Sequence, residues 1–232
     1  MTQTKYPFVE TTGSALAAVV ERATRSLAER GSSWIDAELL SFVSMQDSWW
    51  VHDGDLVVDG SFAPPHAAVL VLGDLVVSGS VLTGFRGGPS STFLLVLGQV
   101  RCTSLLVEHE ATSVFAGGLV AREAAIADMV GDTATYVGRS FEVGCLVEGR
   151  GADIRVEDTP STVKVRVDFE GEGDGIRLWH VFSEELLELE EELDEVLRLE
   201  AEGDGDVVDL VDLNHESVRE RLAANLSLGL RL

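Results

Sequence analysis

Histidines and carboxylates are the residues of this chain whose spacing could bind a metal ion. The segment VHDGD (51–55) places His52 beside two aspartates, and EHE (108–110) encloses His109 between two glutamates. In a β-strand, neighbouring side chains point to opposite faces, so the ligands of either segment could not converge on one ion. We therefore predict no metal site and no cofactor.

Three other segments could carry chemistry, and none is complete. FEGEGDGI (169–176) and AEGDGDVV (201–208) are similar to fragments of calcium-binding loops, but neither has the glutamate that ends such a loop. Residues 122–140 form a predicted loop that could hold an active site, yet no nucleophile and base can be paired within it. The sequence also has no phosphate-binding or dinucleotide-binding glycine motif. These observations favour a protein that is not an enzyme.

The charge of the chain restricts its partners. The 232 residues include 40 acidic and 17 basic side chains, which gives a net charge of −23. Such a chain repels nucleic acid and anionic membranes and attracts basic proteins. The same composition also fits a chain adapted to solubility or to a salty cytoplasm. We expect a basic protein partner, no nucleic acid and no membrane.

The acidic residues are concentrated near the C-terminus. From Glu184 to Asp212 there are 14 acidic residues and one basic residue, Arg198. A leucine and valine stripe with helical spacing predicts an amphipathic helix over 184–199. Its outward carboxylates form the first candidate binding surface: Glu188, Glu191, Glu192 and Glu195. The more common role of such a charged face is simply to contact solvent.

A repeat indicates the architecture. The string GDLVV occurs at 54–58 and again at 73–77. Aligned on its glycine, the repeat extends to Gly54, Gly73, Gly98, Gly117 and Gly144. Repeats with such periods build solenoids, in which each unit stacks only on its neighbours. We predict a mainly β protein: a right-handed parallel β-helix of about five coils. A left-handed hexapeptide helix and a pentapeptide solenoid fit the irregular periods less well.

Apolar rows on both sides of the glycine assign the faces of the predicted strands. Four rows, at positions −3, −1, +2 and +4 from the glycine, are predicted to lie in the core; two of them are Leu56, Leu75, Val100, Leu119 and Leu146 after the glycine, and Val51, Leu70, Leu95, Val114 and Phe141 before it. Two further rows are predicted to point outward: Val57, Val76, Arg101, Val120 and Val147, and His52, Val71, Val96, Phe115 and Glu142. Because the outward rows are unusually apolar, we expect them to be covered by the terminal segments or by another molecule. Val57, Val76 and Val120 are the second candidate binding surface.

The chain divides into three predicted regions. Residues 1–48 form a helical N-terminal cap with helices over 14–30 and 34–43, and residues 49–170 form the β-helix, which ends in a strand over 161–171. Residues 171–232 form an acidic, helical C-terminal segment with a last helix over 214–226. The helices are expected to cap the ends of the rod, and residues 83–92 and 122–140 to protrude as loops.

The segments VLVLGDLVVSGSV (69–81) and HDGDLVVDGSF (52–62) resemble the repeats of bactofilins, bacterial cytoskeletal proteins. The resemblance covers roughly residues 50–150. It implies short stacked β-helical coils that polymerise end to end without a nucleotide. This chain departs from the bactofilin pattern, because its coils are longer and less regular and because predicted helices flank them. Such helices would obstruct end-to-end stacking.

The sequence begins without the pattern of a signal peptide, has no apolar run of transmembrane length and contains two cysteines, so we expect a cytoplasmic protein. The expected function is that of a non-enzymatic, acidic binding protein, an inhibitor of the immunity-protein type that neutralises a basic toxin or effector domain. The alternative is a bactofilin-like structural protein that self-assembles. We expect a monomer or a small homo-oligomer.

Overall fold

The computed structural model describes residues 7–31, 33–84, 92–108, 111–127, 134–149, 152–157, 161–167, 176–202 and 211–231. Stacked parallel strands form a β-solenoid of about five turns, with helices in the N- and C-terminal regions. The predicted fold class is therefore confirmed. Every helix in the described ranges is too short or too polar to cross a membrane.

The strands follow one another along the chain with short turns between most of them. They are β1 (Val9–Thr12), β2 (Ser48–His52), β3 (Leu56–Val58), β4 (Ala68–Val71), β5 (Leu75–Val77), β6 (Val81–Thr83), β7 (Thr92–Val96), β8 (Gln99–Val107), β9 (Ala111–Phe115), β10 (Gly118–Ala127), β11 (Ala134–Val137), β12 (Phe141–Glu148), β13 (Asp153–Val156), β14 (Ser161–Val167), β15 (Leu187–Leu189) and β16 (Val211–Leu213). The α-helices are α1 (Gly13–Glu29), α2 (Trp34–Ser44), α3 (Leu178–Val181), α4 (Leu193–Glu202) and α5 (His215–Ala223).

Two sheets form three walls of the solenoid. The first wall is the sheet β2-β4-β7-β9-β11-β13, with β1 added antiparallel to β2. The other sheet is β14-β12-β10-β8-β5-β3, and it also holds β6 on β8. A bulge after Ala121 interrupts the pairing of β10 with both of its neighbours. In this sheet, β3, β5 and the strand segments that precede the bulge form the second wall. The strand segments that follow the bulge form the third wall together with β6.

The predicted repeat is confirmed in four coils and is misaligned in the fifth. Leu56, Leu75, Val100 and Leu119 are stacked in register, but the next residue in this row is Phe141 rather than Leu146. The turn of the fifth coil lies at Arg139, which has a left-handed φ of 57°. Gly144 is needed for another reason, because an added Cβ would lie 2.5 Å from the carbonyl oxygen of Glu123 at the bulge.

The predicted faces of the first-wall strands are inverted. Val71, Val96 and Phe115 lie in the solenoid core, whereas the row beginning with Leu70 and Leu95 points outward, beneath the N-terminal helices. Side chains keep alternating between the core and the outside through the glycine turn, so the residue two positions before the glycine lies in the core, like the residue two positions after it. Since helices cover the outer row, both rows are equally apolar, and composition could not distinguish them.

The N-terminal helices flank the solenoid rather than cap its end, which corrects the prediction. Buried residues of α1 and α2 pack on the outer face of the first wall: Ala23, Leu27, Ile35, Leu39 and Val43 against Leu70, Leu95, Val114 and Ala116. Helix α2 begins with a capping box between Ser33 and Asp36. The expectation of coverage was made for the wrong row of this wall: the covered row, with Leu70 and Leu95, was predicted to lie in the core, and Val71, predicted to point outward, lies in the core.

The C-terminal segment covers the third wall in the same way. Its buried side chains pack on the outer row of that wall: Trp179, Phe182, Leu186, Val218 and Leu222 against Leu82, Leu106, Ile126, Val147 and Val167. Val147, predicted to belong to the row of Val57, therefore lies on a different, covered wall.

Two predicted elements are wrong in detail. Residues 184–199 do not form one helix: a 3₁₀ turn (Glu184–Leu186) leads into β15, and α4 begins only at Leu193. The predicted 122–140 loop is largely strand, since β10 continues to Ala127 and β11 begins at Ala134. Residues 85–91 and 128–133 lie outside the described residues.

Candidate functional site

The outer face of the second wall is open in the described part of the chain. Its outward row follows the strand register: Val57, Val76, Arg101, Val120, Glu142 and Thr162. Val57 is 75% exposed, and Val76 and Val120 are half-buried. The candidate row Val57, Val76 and Val120 thus points outward, as predicted.

Shallow grooves run along this open wall. One, of about 390 Å³, is lined by Val76, Ser78, Arg101, Val120 and Arg122. Another, of about 230 Å³, is lined by Val120, Arg122, Glu142, Thr162 and Lys164. Three of these residues are basic in a chain of net charge −23. The wall is therefore a locally less acidic, partly apolar surface.

Cys102 lies directly beneath the first groove and is no nucleophile. Its side chain is 3% exposed, and burial raises the pKa of its thiol to about 12. Burial raises the pKa of Cys145 to about 12 in the same way. Since the thiolate is the reactive form, neither cysteine supplies covalent chemistry at neutral pH.

The aspartates that follow the repeated glycines are structural. The Asp55 carboxylate accepts a hydrogen bond from the Asp74 backbone N–H at 2.8 Å, and the Asp74 carboxylate accepts one from the Gln99 N–H at 2.8 Å. An added Cβ on Gly73 or Gly98 would lie 2.3 or 2.2 Å from the carboxylate oxygen beneath it. The Gly-Asp pair repeats because each aspartate binds the next coil and requires a glycine above it.

The segments that suggested metal binding do not form a site in the described residues. The ring nitrogens of His52 contact the carbonyl oxygens of Pro7 and Asp55, at 3.2 and 3.0 Å. Glu108 is buried and forms an ion pair with Arg219 of α5. In the described ranges, no group of three His, Cys, Asp or Glu side chains could hold a metal. His109, Glu110, residues 169–175 and residues 203–208 lie outside those ranges.

Two of the acidic C-terminal residues lie on a two-stranded ribbon, in which β15 pairs antiparallel with β16. Leu187, Val211 and Leu213 are buried on its inner side, whereas Glu188 and Asp212 are exposed on its outer side and lie directly opposite each other. Like charges in this position destabilise a strand pair. Asp212 is the residue of this surface that the sequence analysis did not select.

The four predicted carboxylates lie close in the chain but not on one helix. Glu188 is on β15, Glu191 and Glu192 are exposed in the turn before α4, and Glu195 is in the first turn of α4. Arg198 donates a hydrogen bond to Glu195 at 2.9 Å and lowers the pKa of that carboxyl group. Glu195 is therefore already paired, whereas the other three have no ion-pair partner among the described residues.

Comparison with known proteins adds no identification. No family model, curated protein or solved structure matches the chain. Two exposed surfaces are the candidate binding sites of the chain: the acidic ribbon and the open wall.

Proposed function

We propose that the protein is a non-enzymatic binding protein of the cytoplasm that holds a basic protein on its acidic ribbon. The surface meant by this name consists of Glu188 and Asp212 on the paired strands and of Glu191 and Glu192 in the turn between β15 and α4. The observation that carries the proposal is the placement of Glu188 directly opposite Asp212, both exposed. An inhibitor of the immunity-protein type, which neutralises a basic toxin or effector domain, is the function that fits this surface best.

The energetics of the ribbon support this role. Glu188 and Asp212 repel each other across the strand pair, and no basic side chain in the described residues is paired with Glu188. Elsewhere the chain does neutralise surface carboxylates, as in the pair between Arg22 and Asp53 at 2.8 Å. A basic partner would relieve the repulsion on binding, so a surface that costs folding stability would contribute to affinity.

The mounting of the ribbon also suits binding. Its inner residues Leu187, Val211 and Leu213 belong to the core that covers the third wall, so Glu188 and Asp212 are held on a packed support. A surface that is ordered before binding loses little conformational entropy when a partner docks. Clustered charge of one sign speeds the association of an oppositely charged protein.

The proposal can be tested with a fourfold variant of the ribbon: Glu188→Gln, Glu191→Gln, Glu192→Gln and Asp212→Asn. Immobilised wild-type protein should retain a basic protein at low salt and release it as salt rises. The fourfold variant should retain that protein at least tenfold less, while its folding is unchanged or improved because a repulsive pair has been removed.

A matched control removes the same charge elsewhere: Glu10→Gln, Glu21→Gln, Glu29→Gln and Asp47→Asn, all exposed. This control should bind like the wild type. Equal loss of binding in both fourfold variants would show that only net charge matters, and would refute a docking site on the ribbon.

A bactofilin-like polymer is the second candidate function. One observation favours it: in the described residues, the edge strands β3 and β14 each pair with a strand on one side only, apart from a single bridge at Val167. End-to-end stacking could pair these edges. However, at the end of the solenoid formed by the first coil, β1 already pairs antiparallel with β2. The edge of the first wall next to β3 is therefore occupied. We therefore place this candidate second.

A further inference from the structure

A small cavity lies where helix α5 meets the corner between the third and first walls. It has a volume of about 20 Å³ and is lined by Ala63, Pro64, Leu82, Gly84, Thr92 and Arg219. Gly84 follows β6 of the third wall, Thr92 begins β7 of the first wall, and Arg219 belongs to α5. The cavity thus borders both the solenoid and the C-terminal segment that covers it.

One polar group of this cavity has no partner within the described part of the protein. Thr92 is 8% exposed, and its Oγ1 atom is buried and makes no hydrogen bond there. A buried hydroxyl without a hydrogen bond lowers stability, and buried polar groups in folded proteins are nearly always paired with the chain or with an ordered water. The unpartnered Oγ1 atom therefore indicates a ligand that exchanges hydrogen bonds with it.

Two further polar groups of the lining have hydrogen-bonding capacity to spare. The Gly84 carbonyl oxygen accepts a hydrogen bond from Nη2 of Arg219, and a carbonyl oxygen has a second lone pair. The guanidinium of Arg219 donates to Gly84 and Glu108 through Nη2, so its Nε and Nη1 groups have no acceptor among the described residues. The lining thus offers a hydroxyl, a carbonyl oxygen and N–H donors.

The size and the charge of the cavity select the ligand. A buried water needs a cavity of at least about 10–15 Å³ and two to four polar partners. A volume of about 20 Å³ therefore has room for one water molecule. Because Arg219 is paired with the buried carboxylate of Glu108, the lining presents no uncompensated charge that would favour an ion. We propose that the cavity binds a single water molecule, which joins Thr92 of the solenoid to the contact between Gly84 and Arg219.

This water is part of the attachment of α5 to the solenoid. It lies beside the ion pair between Arg219 and Glu108, which connects the same two parts of the chain. The inference is independent of the acidic ribbon, since none of the ribbon residues lines the cavity.

The sign of the stability change in Thr92→Val tests the proposal. Valine has nearly the shape of threonine but has no hydroxyl that could bind the water. The substitution should therefore lower the melting temperature by about 2–4 °C, the shift expected for one lost hydrogen bond in a chain of this size. If the hydroxyl binds nothing, the same substitution removes an unsatisfied polar group and raises the melting temperature. An unchanged or higher melting temperature would overturn the proposal.

Thr135→Val is the matched control. Thr135 is also buried in a strand of the first wall, and its Oγ1 atom has no partner in the described structure. However, it lines neither this cavity nor the two grooves of the open wall. Its replacement should leave the melting temperature unchanged or raise it. Equal losses in the two variants would show that the effect at Thr92 does not come from the cavity, which would also overturn the proposal.

A high-resolution crystal structure of the wild-type chain measures the occupant directly. Electron density for one water molecule within hydrogen-bond distance of Thr92 Oγ1 is the expected result. An empty cavity, or a cavity closed by a side chain, would contradict the assignment. Neither result bears on the acidic ribbon, which is tested separately.

Discussion

The guanidinium Nη2 of Arg139 lies 2.9 Å from Oδ2 of Asp36 and ties helix α2 to a solenoid turn. Asp36 is 4% exposed and also closes the capping box of α2. Arg139 additionally donates hydrogen bonds to the carbonyl oxygens of Ala116, at 2.6 Å, and Gly31, at 2.8 Å. On the other covered wall, Arg219 of α5 pairs with buried Glu108. Each terminal segment is thus joined to the solenoid by an arginine–carboxylate pair whose carboxylate is buried.

Arg139→Ala should destabilise the protein strongly. The substitution leaves the Asp36 carboxylate buried without its charge partner, which costs about 3–5 kcal/mol in such pairs. Urea unfolding, followed by circular dichroism, measures the free energy of unfolding of each variant. Arg22→Ala is the matched control, because its pair with Asp53 is exposed and such pairs contribute about 0–1 kcal/mol. Equal losses in both variants would show that Arg139 does not anchor α2.

Asp74→Ala should cost about 1–2 kcal/mol of unfolding free energy, since the Gln99 N–H loses its acceptor. Asp74→Asn keeps an acceptor oxygen and should cost less. Asp47→Ala, at an exposed position, should be close to neutral. An alanine variant of Asp74 as stable as that of Asp47 would show that the aspartate ladder does not hold the coils together.

The stacked coils were predictable because the repeat is read directly from residue types: a glycine where an aspartate lies beneath it, and aliphatic residues at every second position. The position of the fifth turn was not predictable. It depends on Arg139, which has a left-handed φ and stands at the position where the other coils have glycine, whereas Gly144 lies within β12, opposite the bulge of β10. The faces of the first-wall strands were not predictable either. Helices cover the outer row, so that row is as apolar as the core row and the two cannot be told apart by composition.

The sequence identifies the segment that carries the acidic surface, but not how the carboxylates of that segment are arranged in space. The string Leu186–Leu187–Glu188–Leu189 fits both a helical stripe and a strand with alternating faces. The pairing of β15 with β16 decides between them, and that pairing joins residues more than twenty positions apart. Asp212 could therefore enter the site only once the strand pair was known.

His66 should make the protein less stable in acid. Its ring stacks on Trp50 with centroids 3.6 Å apart, and its Nε2 atom is buried without a hydrogen-bond partner in the described structure. Burial lowers the pKa of His66, with Glu10 opposing the shift. The unfolded chain therefore binds the proton more readily, so this contribution to stability is present above pH 6.5 and is lost as the pH falls through the lowered pKa.

Urea unfolding of the wild type and of His66→Gln between pH 7.5 and 5 tests this effect, with an NMR titration of the ring as a direct measurement. The unfolding free energy of the wild type, relative to that of His66→Gln, should decrease as the pH falls. A difference that stays constant, or a His66 pKa at or above 6.5, would contradict the assignment.

The purified protein should not form filaments. At the first coil, β1 pairs antiparallel with β2, and Phe8 packs near Phe62 with ring centroids 6.5 Å apart. An added coil would have to displace both. Electron microscopy at moderate and high salt measures the outcome, the high salt serving to screen the net charge. Filaments under either condition would favour the bactofilin-like candidate over the binding protein.

The rate at which the retained basic protein associates with this chain, measured by stopped flow at low and high salt, tests the central proposal most directly. The wild-type rate should fall steeply as salt rises, because charge steers the encounter. The ribbon variant (Glu188→Gln, Glu191→Gln, Glu192→Gln, Asp212→Asn) should associate several-fold more slowly at low salt and with a flatter salt dependence, while the matched control keeps the wild-type behaviour. An unchanged rate and salt dependence in the ribbon variant would contradict the proposal and would show that the acidic ribbon only contacts solvent.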